Sequence, residues 1–414
     1  MQPVIQNIGA TSLNAWNAAS LKGAVGVEVA TPFRDVLSQG YTPAMQGLFS
    51  LAAFRALEAT LQPNALLGRK VAIYGAGSFG LALAAPLSEA GADIIIYSAP
   101  EAPTALARAL GILEPQGKSV ENFFHASLPI FDELIKAGAP IRRDRVVYYY
   151  QELATDFVEQ LKSMPDSNYR VESTNLFGCR FKLSFDGYIM SGTSMRDFYM
   201  GILAKRGATF VEQEMRELIP VPGHLTFSAL GMGRAKIQGQ HSVDLPGNRG
   251  QMICVEGTDV VKLLNSFPEL DDAGSVGIPT SAGSVNIVLH YRNPAAREEP
   301  FLVIGATKEP GNGSALPRKA DSEFLNEGIR KLWPALGEYL QAYSESQDLD
   351  IAADRLNFSE YVCVRPGGGE TSFKIHEVDG CTEIVCAGGM GNSLAPAAAL
   401  KAISLAQKTS RTNT

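Results

Sequence analysis

A glycine-rich segment, GAGSFG at residues 75–80, has the residue types and spacing to hold a phosphate group. In a dinucleotide fold, Gly75 would permit a tight turn, Gly77 would let the backbone approach a pyrophosphate, and Gly80 would let a helix pack closely on a strand. Phosphate oxygens would bind at the start of the next helix, where free N–H groups and the helix dipole favour negative charge. The alternative is a glycine-rich turn in an unrelated α/β unit.

The elements that must position this loop are predicted on both sides of it. KVAIY (70–74) predicts a strand, LALAAPLSEAG a helix, and DIIIYS (93–98) a second strand. A strand, glycine loop, helix and strand within about 30 residues form the context that the dinucleotide motif requires. The second strand ends in Ser98, where such folds often carry an acid for the ribose. We therefore expect a weaker, uncharged contact there.

Other catalytic arrangements do not fit the sequence. Five cysteines without a CxxC pair, and no HExxH motif, predict neither a disulfide framework nor a metal site. Gly391-Asn392-Ser393-Leu394-Ala395 lies between a predicted strand and helix and faintly resembles a hydrolase nucleophile elbow. A hydrolase of that kind needs a histidine after the serine, but the last histidine is His376, so we reject this hypothesis.

The composition limits the class of protein and its partners. Hydrophobic residues make up 45% and charged residues 19%, which excludes a disordered chain. The 36 basic and 43 acidic residues give a net charge of −7, so no excess of positive charge exists for nucleic acid. The N-terminal sequence does not resemble a secretory signal, and no apolar stretch predicts a membrane span. We expect a cytoplasmic protein that binds neither nucleic acid nor membrane, and a homo-oligomer is compatible with the sequence.

The rest of the chain predicts helices and a mostly antiparallel sheet. Apolar periodicity predicts helices over 42–61, 194–206 and 322–343. Runs of aromatic and β-branched residues between about 140 and 370 alternate with Gly, Pro and Asn breaks, which is typical of antiparallel strands. These runs are RVVYYY, CRFKLSF, GQMICVEG, VNIVLHY and PFLVIGAT.

A predicted strand that ends in Ala-Leu-Gly at 229–231 and an Arg-Pro pair at 365–366 follow GAGSFG along the chain. Together with the segments below, they resemble the D-amino-acid oxidase and glycine oxidase family of FAD enzymes. HLTFSALGMG (224–233) is similar to the strand at which FAD passes the chain again, and KRGATFVEQEMREL before it resembles the segment that touches adenine. TALARALGILEP (104–115) is similar to the family's loop beside the flavin, and LPGNRGQMICVEG (245–257) to its Pro-x-Arg-Gly-Gln segment. YVCVRPGGG, EIVCAGGMG and NSLAPAAALKAISLA follow in the family's order at the C-terminus. The likeness covers residues 70–408.

This resemblance implies an α/β fold in which a Rossmann-like FAD-binding domain is interwoven with a mostly antiparallel β-sheet substrate domain. The expected FAD-binding parts are 69–145, 191–245 and 365–408, the expected substrate-domain parts are 146–190 and 246–364, and 1–68 is a partly helical extension. The residues expected to hold FAD are Gly75, Ala76, Gly77, Ser78, Phe79, Gly80, Ser98, Arg108, Ala109, Met215, Gly231, Gly388, Gly389, Met390, Gly391, Asn392 and Ser393. Backbone N–H groups at the start of the last helix would stabilise negative charge on reduced flavin.

The resemblance also implies a reaction, the oxidation of a C–N bond in an amino acid or related amine by hydride transfer to flavin, with an imine product and oxygen as acceptor. Arg365 matches the family's arginine that binds the substrate carboxylate. Val285 and Leu289 stand where the family's pocket tyrosines would be, and the neighbouring His290 and Tyr291 are candidate catalytic-pocket residues. The alternatives are that Arg365 pairs with a structural carboxylate and that His290 and Tyr291 are ordinary sheet residues.

Three other functions stay open from the sequence. A flavin monooxygenase shares the FAD fold, and an NAD-dependent dehydrogenase shares the Rossmann class but leaves the C-terminal block unexplained. A flavin-binding structural partner without catalysis would fit the uncharged strand end at Ser98 and the altered pocket.

Overall fold

The computed structural model describes residues 5–6, 66–99, 105–115, 121–164, 166–238, 245–271, 273–280, 283–293, 297–345, 356–367, 373–386 and 391–412. The predicted helix over 42–61 lies outside this range, and so do three of the predicted cofactor-binding residues, Gly388, Gly389 and Met390.

The described residues form seventeen strands and nine α-helices. The strands are β1 (Ile5–Gln6), β2 (Lys70–Tyr74), β3 (Asp93–Ser98), β4 (Ile112–Leu113), β5 (Ile141–Tyr150), β6 (Arg170–Ser173), β7 (Phe181–Met190), β8 (Thr209–Glu212), β9 (Leu225–Ser228), β10 (Gly247–Glu256), β11 (Ser275–Thr280), β12 (Gly283–Asn293), β13 (Glu298–Thr307), β14 (Glu309–Pro310), β15 (Asn357–Pro366), β16 (Phe373–Val378) and β17 (Cys381–Cys386). The helices are α1 (Ser78–Glu89), α2 (Glu121–Lys136), α3 (Thr155–Ser163), α4 (Gly192–Lys205), α5 (Val260–Leu264), α6 (Pro268–Asp271), α7 (Lys319–Leu332), α8 (Pro334–Glu345) and α9 (Gly391–Thr412).

The first sheet has seven strands in the order β1-β8-β3-β2-β9-β17-β16. Its five central strands run parallel, whereas β1 and β16 pair antiparallel at the two edges. Helix α9 packs on α1 and α2, and α1 packs on α4. One apolar core joins these helices to the sheet and includes Val71, Ile73, Ile96 and Phe227 of strands β2, β3 and β9. The predicted strand, loop, helix and strand of a Rossmann-like unit are confirmed.

The second sheet has ten strands and is antiparallel except where β11 runs parallel to β5. Its main path is β14-β10-β13-β12-β11-β5-β7-β4, with β15 also paired to β10 and β6 to β7. A separate apolar core fills the space between this sheet and the helices α5 to α8. The prediction of a mostly antiparallel sheet is confirmed. Strands β5 and β15 cross the predicted domain boundaries at 145 and 364, and those boundaries stay a prediction.

The predicted helix over 322–343 is two helices. The chain leaves the helical conformation at Trp333, which has φ −142° and ψ 83°. The next residue is Pro334, and a proline ring disfavours the helical conformation in the residue immediately before it. The Trp333 ring is buried and stacks on Phe267, with ring centroids 4.9 Å apart. The residue at the break, Trp333, is therefore part of the apolar core of the second sheet.

Candidate active site

The glycine loop joins β2 to α1 and contains two kinds of glycine. Gly75 has a φ of +106°, and a Cβ atom there would lie 2.4 Å from the Ala229 carbonyl oxygen. A Cβ on Gly80 would lie 1.8 Å from the Gly75 carbonyl oxygen. A Cβ on Gly77 would meet no heavy atom of the described residues within 4 Å, whereas the preceding Ala76 is buried. The packing of the chain itself thus requires Gly75 and Gly80, whereas Gly77 leaves open space in front of the helix.

A second helix begins beside the first. The Ser78 hydroxyl donates a hydrogen bond to Asn392 Oδ1, which joins the first turn of α1 to that of α9. A Cβ on Gly391 would lie 3.7 Å from the Phe79 ring, and Ser393 is buried in the same turn. Neither helix has an acidic residue in its first turn. Two positive dipole ends and two sets of free N–H groups therefore lie together, and this arrangement favours an anionic ligand.

Other predicted cofactor-binding residues lie at the carboxyl edge of the parallel sheet. Ser98 ends β3 and lies in register with Glu212 of β8, so the neighbouring strand brings a carboxylate to this position. Met215 is partly buried against a small apolar cluster that includes Tyr74. Gly231, with φ +55°, starts a 3₁₀ turn over Gly231–Lys236 just after β9. These residues occupy the edge at which nucleotides bind in open α/β sheets.

Residues 105–111 connect this edge to the second sheet. Arg108 Nη1 donates to the Val362 carbonyl oxygen at 3.0 Å, and the Cys363 thiol lies 4.0 Å from the Ala105 carbonyl oxygen. Thr193 Oγ1 of helix α4 donates to the Ala107 carbonyl oxygen at 3.1 Å. The backbone N–H of Ala109 donates within the segment, to the Leu106 carbonyl oxygen. Arg108 and Ala109 thus belong to a segment that is held both by β15 and by α4.

We name the two sides of the ten-stranded sheet by what covers them. The outer face packs on α5 to α8, and the inner face meets residues 105–111. Because side chains alternate along a strand and residues opposite each other share a face, the register assigns each residue to one side. An unpaired buried polar group costs roughly 1–3 kcal/mol, so a group of them on one face indicates a ligand-binding surface. Five buried inner-face atoms have no hydrogen-bond partner among the described residues: Asn248 Oδ1, Ser275 Oγ, Asn286 Oδ1, His290 Nδ1 and Arg365 Nε.

Arg365 is a cation without a counter-ion on this face. It stands opposite Asn248 in the pairing of β15 with β10. Gly250 makes room for it, since a Cβ there would lie 3.1 Å from Arg365 Nη2. Among the described residues no carboxylate forms an ion pair with it. The alternative of a structural ion pair for Arg365 therefore finds no partner in the part of the chain that the structure describes.

His290 lies under residues 105–111 and is only 2% exposed. Its Nε2 is 3.0 Å from the Leu110 carbonyl oxygen, and its ring stacks on Phe301 with centroids 5.2 Å apart. Because a carbonyl only accepts, we assign the proton to Nε2, which leaves Nδ1 as an acceptor. Burial, and to a lesser degree the nearby Arg142, lowers the pKa of His290 to about 3. The imidazole is therefore a neutral hydrogen-bonding group at ordinary pH.

The structure does not bring the three predicted catalytic-pocket residues together. In the strand register, Arg365 of β15 stands opposite Asn248 of β10. His290 of β12 stands opposite Phe301 of β13, and the next residue of β13, Leu302, stands opposite Val255 of β10. The step from Asn248 to Val255 along β10 is about 24 Å at the rise of an antiparallel strand. Tyr291 lies on the outer face, with the Arg142 guanidinium 5.0 Å from its ring centroid.

The register of β12 also decides which of its residues meet the inner face. Val285 and Leu289, the positions expected to match the family's pocket tyrosines, belong to the outer core, and Asn286 lies on the inner face. A shift of one residue reverses the face because the period of a strand is two. Sequence reasoning missed Asn248, Ser275 and Asn286. For Asn286 the available signal was an asparagine within the otherwise mostly apolar run VNIVLHY, because asparagine is depleted in strands.

The family model described as "DAO: FAD dependent oxidoreductase" matches residues 70–405. The chain belongs to the DAO family of FAD-dependent oxidoreductases. This DAO-family protein is therefore an enzyme, and its cofactor is FAD.

Solved structures share the fold of this DAO-family enzyme at low sequence identity. Glycine oxidase from Geobacillus kaustophilus is 15% identical, with a TM-score of 0.59 over 82% of this chain and 95% of that one. Iminodiacetate oxidase from Chelativorans sp. BNC1 is 16% identical, with a TM-score of 0.60 over 81% and 95%. L-proline dehydrogenase from P. horikoshii is 10% identical, with a TM-score of 0.61 over 83% and 94%. No curated protein sequence matches this chain.

The geometry of the DAO-family site fits FAD. The open space at Gly77 and the paired starts of α1 and α9 suit the pyrophosphate and the electron-rich end of the flavin ring. The unpaired inner-face atoms of the second sheet provide polar groups for a further ligand. Within the described ranges no cluster of metal-ligating side chains occurs. None of the described helices has the length and apolarity needed to cross a bilayer.

Proposed function

We propose that this enzyme oxidises the C–N bond of an amino acid or a related amine that carries a carboxylate, giving an imine, with oxygen as the electron acceptor. FAD, when bound, supplies the hydride acceptor. The observation that supports this proposal is an arginine, Arg365, without a counter-ion among the described residues, on the inner face of the second sheet. Structural neighbours named glycine oxidase, iminodiacetate oxidase and L-amino acid deaminase are consistent with such a substrate.

The role of Arg365 is to anchor the substrate. A guanidinium presents its N–H groups in a planar fork that matches a carboxylate, and each charge-assisted hydrogen bond contributes roughly 1.5–3 kcal/mol. Cys363 stands opposite Gly250, and Met252 is the next inner-face residue of β10; both are apolar and buried. Low polarity strengthens the ion pair, and a fixed carboxylate fixes the neighbouring carbon for hydride transfer.

The chain offers no general base beside this anchor among the described inner-face residues. His290 has a pKa near 3, so it is a weak base, and it lies several residue pairs away from Arg365 along the sheet. The substrate amine must therefore bind neutral or lose its proton to solvent. We expect kcat/KM to rise with pH as the amine of the free substrate deprotonates.

Anaerobic mixing of the holoenzyme with a substrate panel tests the proposal. The panel contains glycine, D- and L-amino acids, N-substituted glycines, hydroxy acids and NADPH, and the readout is the loss of oxidised-flavin absorbance. We expect bleaching by at least one carboxylate-bearing amine. Bleaching by NADPH without any amine would instead indicate a monooxygenase, and no bleaching by any compound would indicate a flavin-binding protein without this activity.

The variant Arg365→Met sharpens the same experiment. We expect it to keep its FAD but to need at least about a hundredfold more of the carboxylate-bearing amine for half-maximal bleaching, since two charge-assisted hydrogen bonds are lost. A matched amine without the carboxylate serves as control and should react equally with both proteins. An unchanged KM for the carboxylate-bearing amine would remove Arg365 from the site.

A further inference from the structure

Asn248 is a polar neighbour of Arg365 on the inner face. The two residues are directly opposite each other in the antiparallel pairing of β10 with β15. Opposite residues direct their side chains to the same face, with Cβ atoms about 5 Å apart. Gly250 is the next residue of β10 on that face and lies against Arg365 Nη2. The guanidinium thus extends along β10, from the Asn248 pair toward Gly250.

The amide of Asn248 is buried and has an open hydrogen-bonding site. Its residue is 2% exposed, and Oδ1 has no hydrogen-bond partner among the described residues. Arg365 Nε is likewise a buried atom without a hydrogen-bond partner among the described residues. Two adjacent buried polar atoms that bind neither each other nor a third described residue define a place for a ligand. The two ends of an asparagine amide exchange by rotation, so a bound acceptor would select the orientation with Nδ2 toward it.

The charges around Asn248 and Arg365 favour an anionic ligand. The acidic side chains at this end of the sheet interact on the outer face with arginine and glutamine side chains, so they do not neutralise Arg365. A carboxylate has about four lone-pair sites, of which an arginine fork uses two, so an amide N–H can occupy a third. The acidic residues are Glu309, Asp321 and Glu360, and their partners are Arg249, Arg318 and Gln251.

We propose that Asn248 is a specificity-determining residue that donates a hydrogen bond to the same substrate carboxylate that Arg365 binds. This inference rests on the proposed function, because it takes that carboxylate as the ligand. It adds a neutral donor to the anchor. An amine without a carboxylate gains nothing from Asn248, whereas a carboxylate is held at two points and in one orientation.

Acetate binding to the holoenzyme tests the inference without turnover. Acetate is titrated into the oxidised enzyme, and its dissociation constant is read from the change in the flavin absorbance spectrum. We expect Asn248→Leu to weaken acetate binding at least about tenfold, the size of one hydrogen bond to a charged group, and to raise the KM of the carboxylate-bearing amine similarly, with the FAD content unchanged. Asn248→Asp places a negative charge beside Arg365 and should weaken acetate binding at least about a hundredfold.

Asn326→Leu is the matched control. Asn326 on α7 also has an unpartnered buried Oδ1 among the described residues, but its helix packs on the outer face of the sheet. We expect its acetate affinity to equal that of the wild type. If Asn248→Leu does not fold, Asn248→Ala, which also lacks a side-chain donor, replaces it in the titration.

The outcomes separate this inference from the proposed function. Weaker acetate binding in both Asn248→Leu and Arg365→Met supports the inference. Unchanged binding in the Asn248 variants, with loss in Arg365→Met, overturns the role of Asn248 and leaves the proposed function intact. Unchanged binding in Arg365→Met overturns the anchor itself, and the inference with it.

Discussion

Two arginines on neighbouring residue pairs of β10 and β15 have opposite surroundings. Arg249 stands opposite Val364 and faces outward, and Arg365 stands opposite Asn248 and faces inward. Arg249 is fully buried, pairs with Asp321, and donates to Gln251 and to the Leu316 carbonyl oxygen, each at 2.7 Å. Arg365 has no ion pair among the described residues.

The difference shows how one sheet serves two purposes. On the outer face, Arg318 adds a second cation to Asp321, so the buried charges there neutralise one another within the protein. On the inner face, buried polar atoms are unpaired within the described chain and the cation is left for a ligand. Nε of both arginines lacks a hydrogen-bond partner among the described residues, so the ion pairs are what separate them. A buried cation neutralised by carboxylates indicates a structural role, whereas a cation without a carboxylate on the adjacent pair indicates binding.

Breaking the outer network should have the greatest consequence for stability. Arg249→Met leaves Asp321 and its neighbours without their central cation, and removal of one partner from a buried pair destabilises a protein by about 3–5 kcal/mol. We expect a loss of that size in the free energy of unfolding, measured by urea denaturation of the holoenzyme.

Arg365→Met is the same substitution on the adjacent residue pair and is the control for the stability measurement. Because Arg365 has no ion pair to lose among the described residues, we expect its free energy of unfolding to change by less than about 1 kcal/mol. Equal losses in the two variants would contradict the distinction between the two faces.

A smaller effect concerns His290, a buried inner-face group that is tolerated because it is neutral. Its pKa is about 3 in the folded protein and about 6.5 when unfolded. As pH falls below about 6.5, the unfolded chain gains a proton that the folded chain does not, so stability should fall by up to about 1.4 kcal/mol per pH unit. Above about pH 7 His290 should have no influence on the pH dependence.

His290→Gln isolates this contribution, because glutamine retains an N–H donor for the Leu110 carbonyl and does not titrate. Urea denaturation at about pH 5, 6, 7 and 8 should show a flatter dependence below the unfolded-state pKa in the variant than in the wild type. Parallel curves would mean that His290 gains its proton over the same pH range in the folded enzyme as in the unfolded chain.

The last change tests the space that Gly250 gives to Arg365. A Cβ at this position would lie 2.9 Å from the Thr307 carbonyl oxygen and 3.1 Å from Arg365 Nη2. We expect Gly250→Ala to displace the guanidinium and raise the KM of a carboxylate-bearing amine about tenfold, which corresponds to about 1.4 kcal/mol. Steady-state kinetics with a measured FAD content provide the check.

Gly313→Ala is the control for this change. A Cβ on Gly313 meets no described heavy atom within 4 Å, although the residue lies beside Gly247 at the same end of β10. Its KM should equal that of the wild type. A similar rise in both variants would place the cause in the loop rather than at Arg365.

The local elements of this enzyme could be predicted from its sequence alone. Glycine spacing and apolar periodicity identified β2, the glycine loop, α1 and β3, because these features depend on residues close together in the chain. The five aromatic and β-branched runs identified strands of the second sheet in the same way. The helix predicted without a break was wrong at Trp333, where the restriction imposed by Pro334 was overlooked.

Which side chains share the site depends on contacts between distant parts of the chain. The Ser78–Asn392 contact joins residues 314 positions apart, and no local pattern specifies it. The face that each strand residue occupies follows from its register with other strands, and a step of one residue separates inner-face His290 from outer-face Tyr291. Asn248 meets Arg365 for the same reason, because the pairing of β10 with β15 sets them opposite each other across a long separation in sequence.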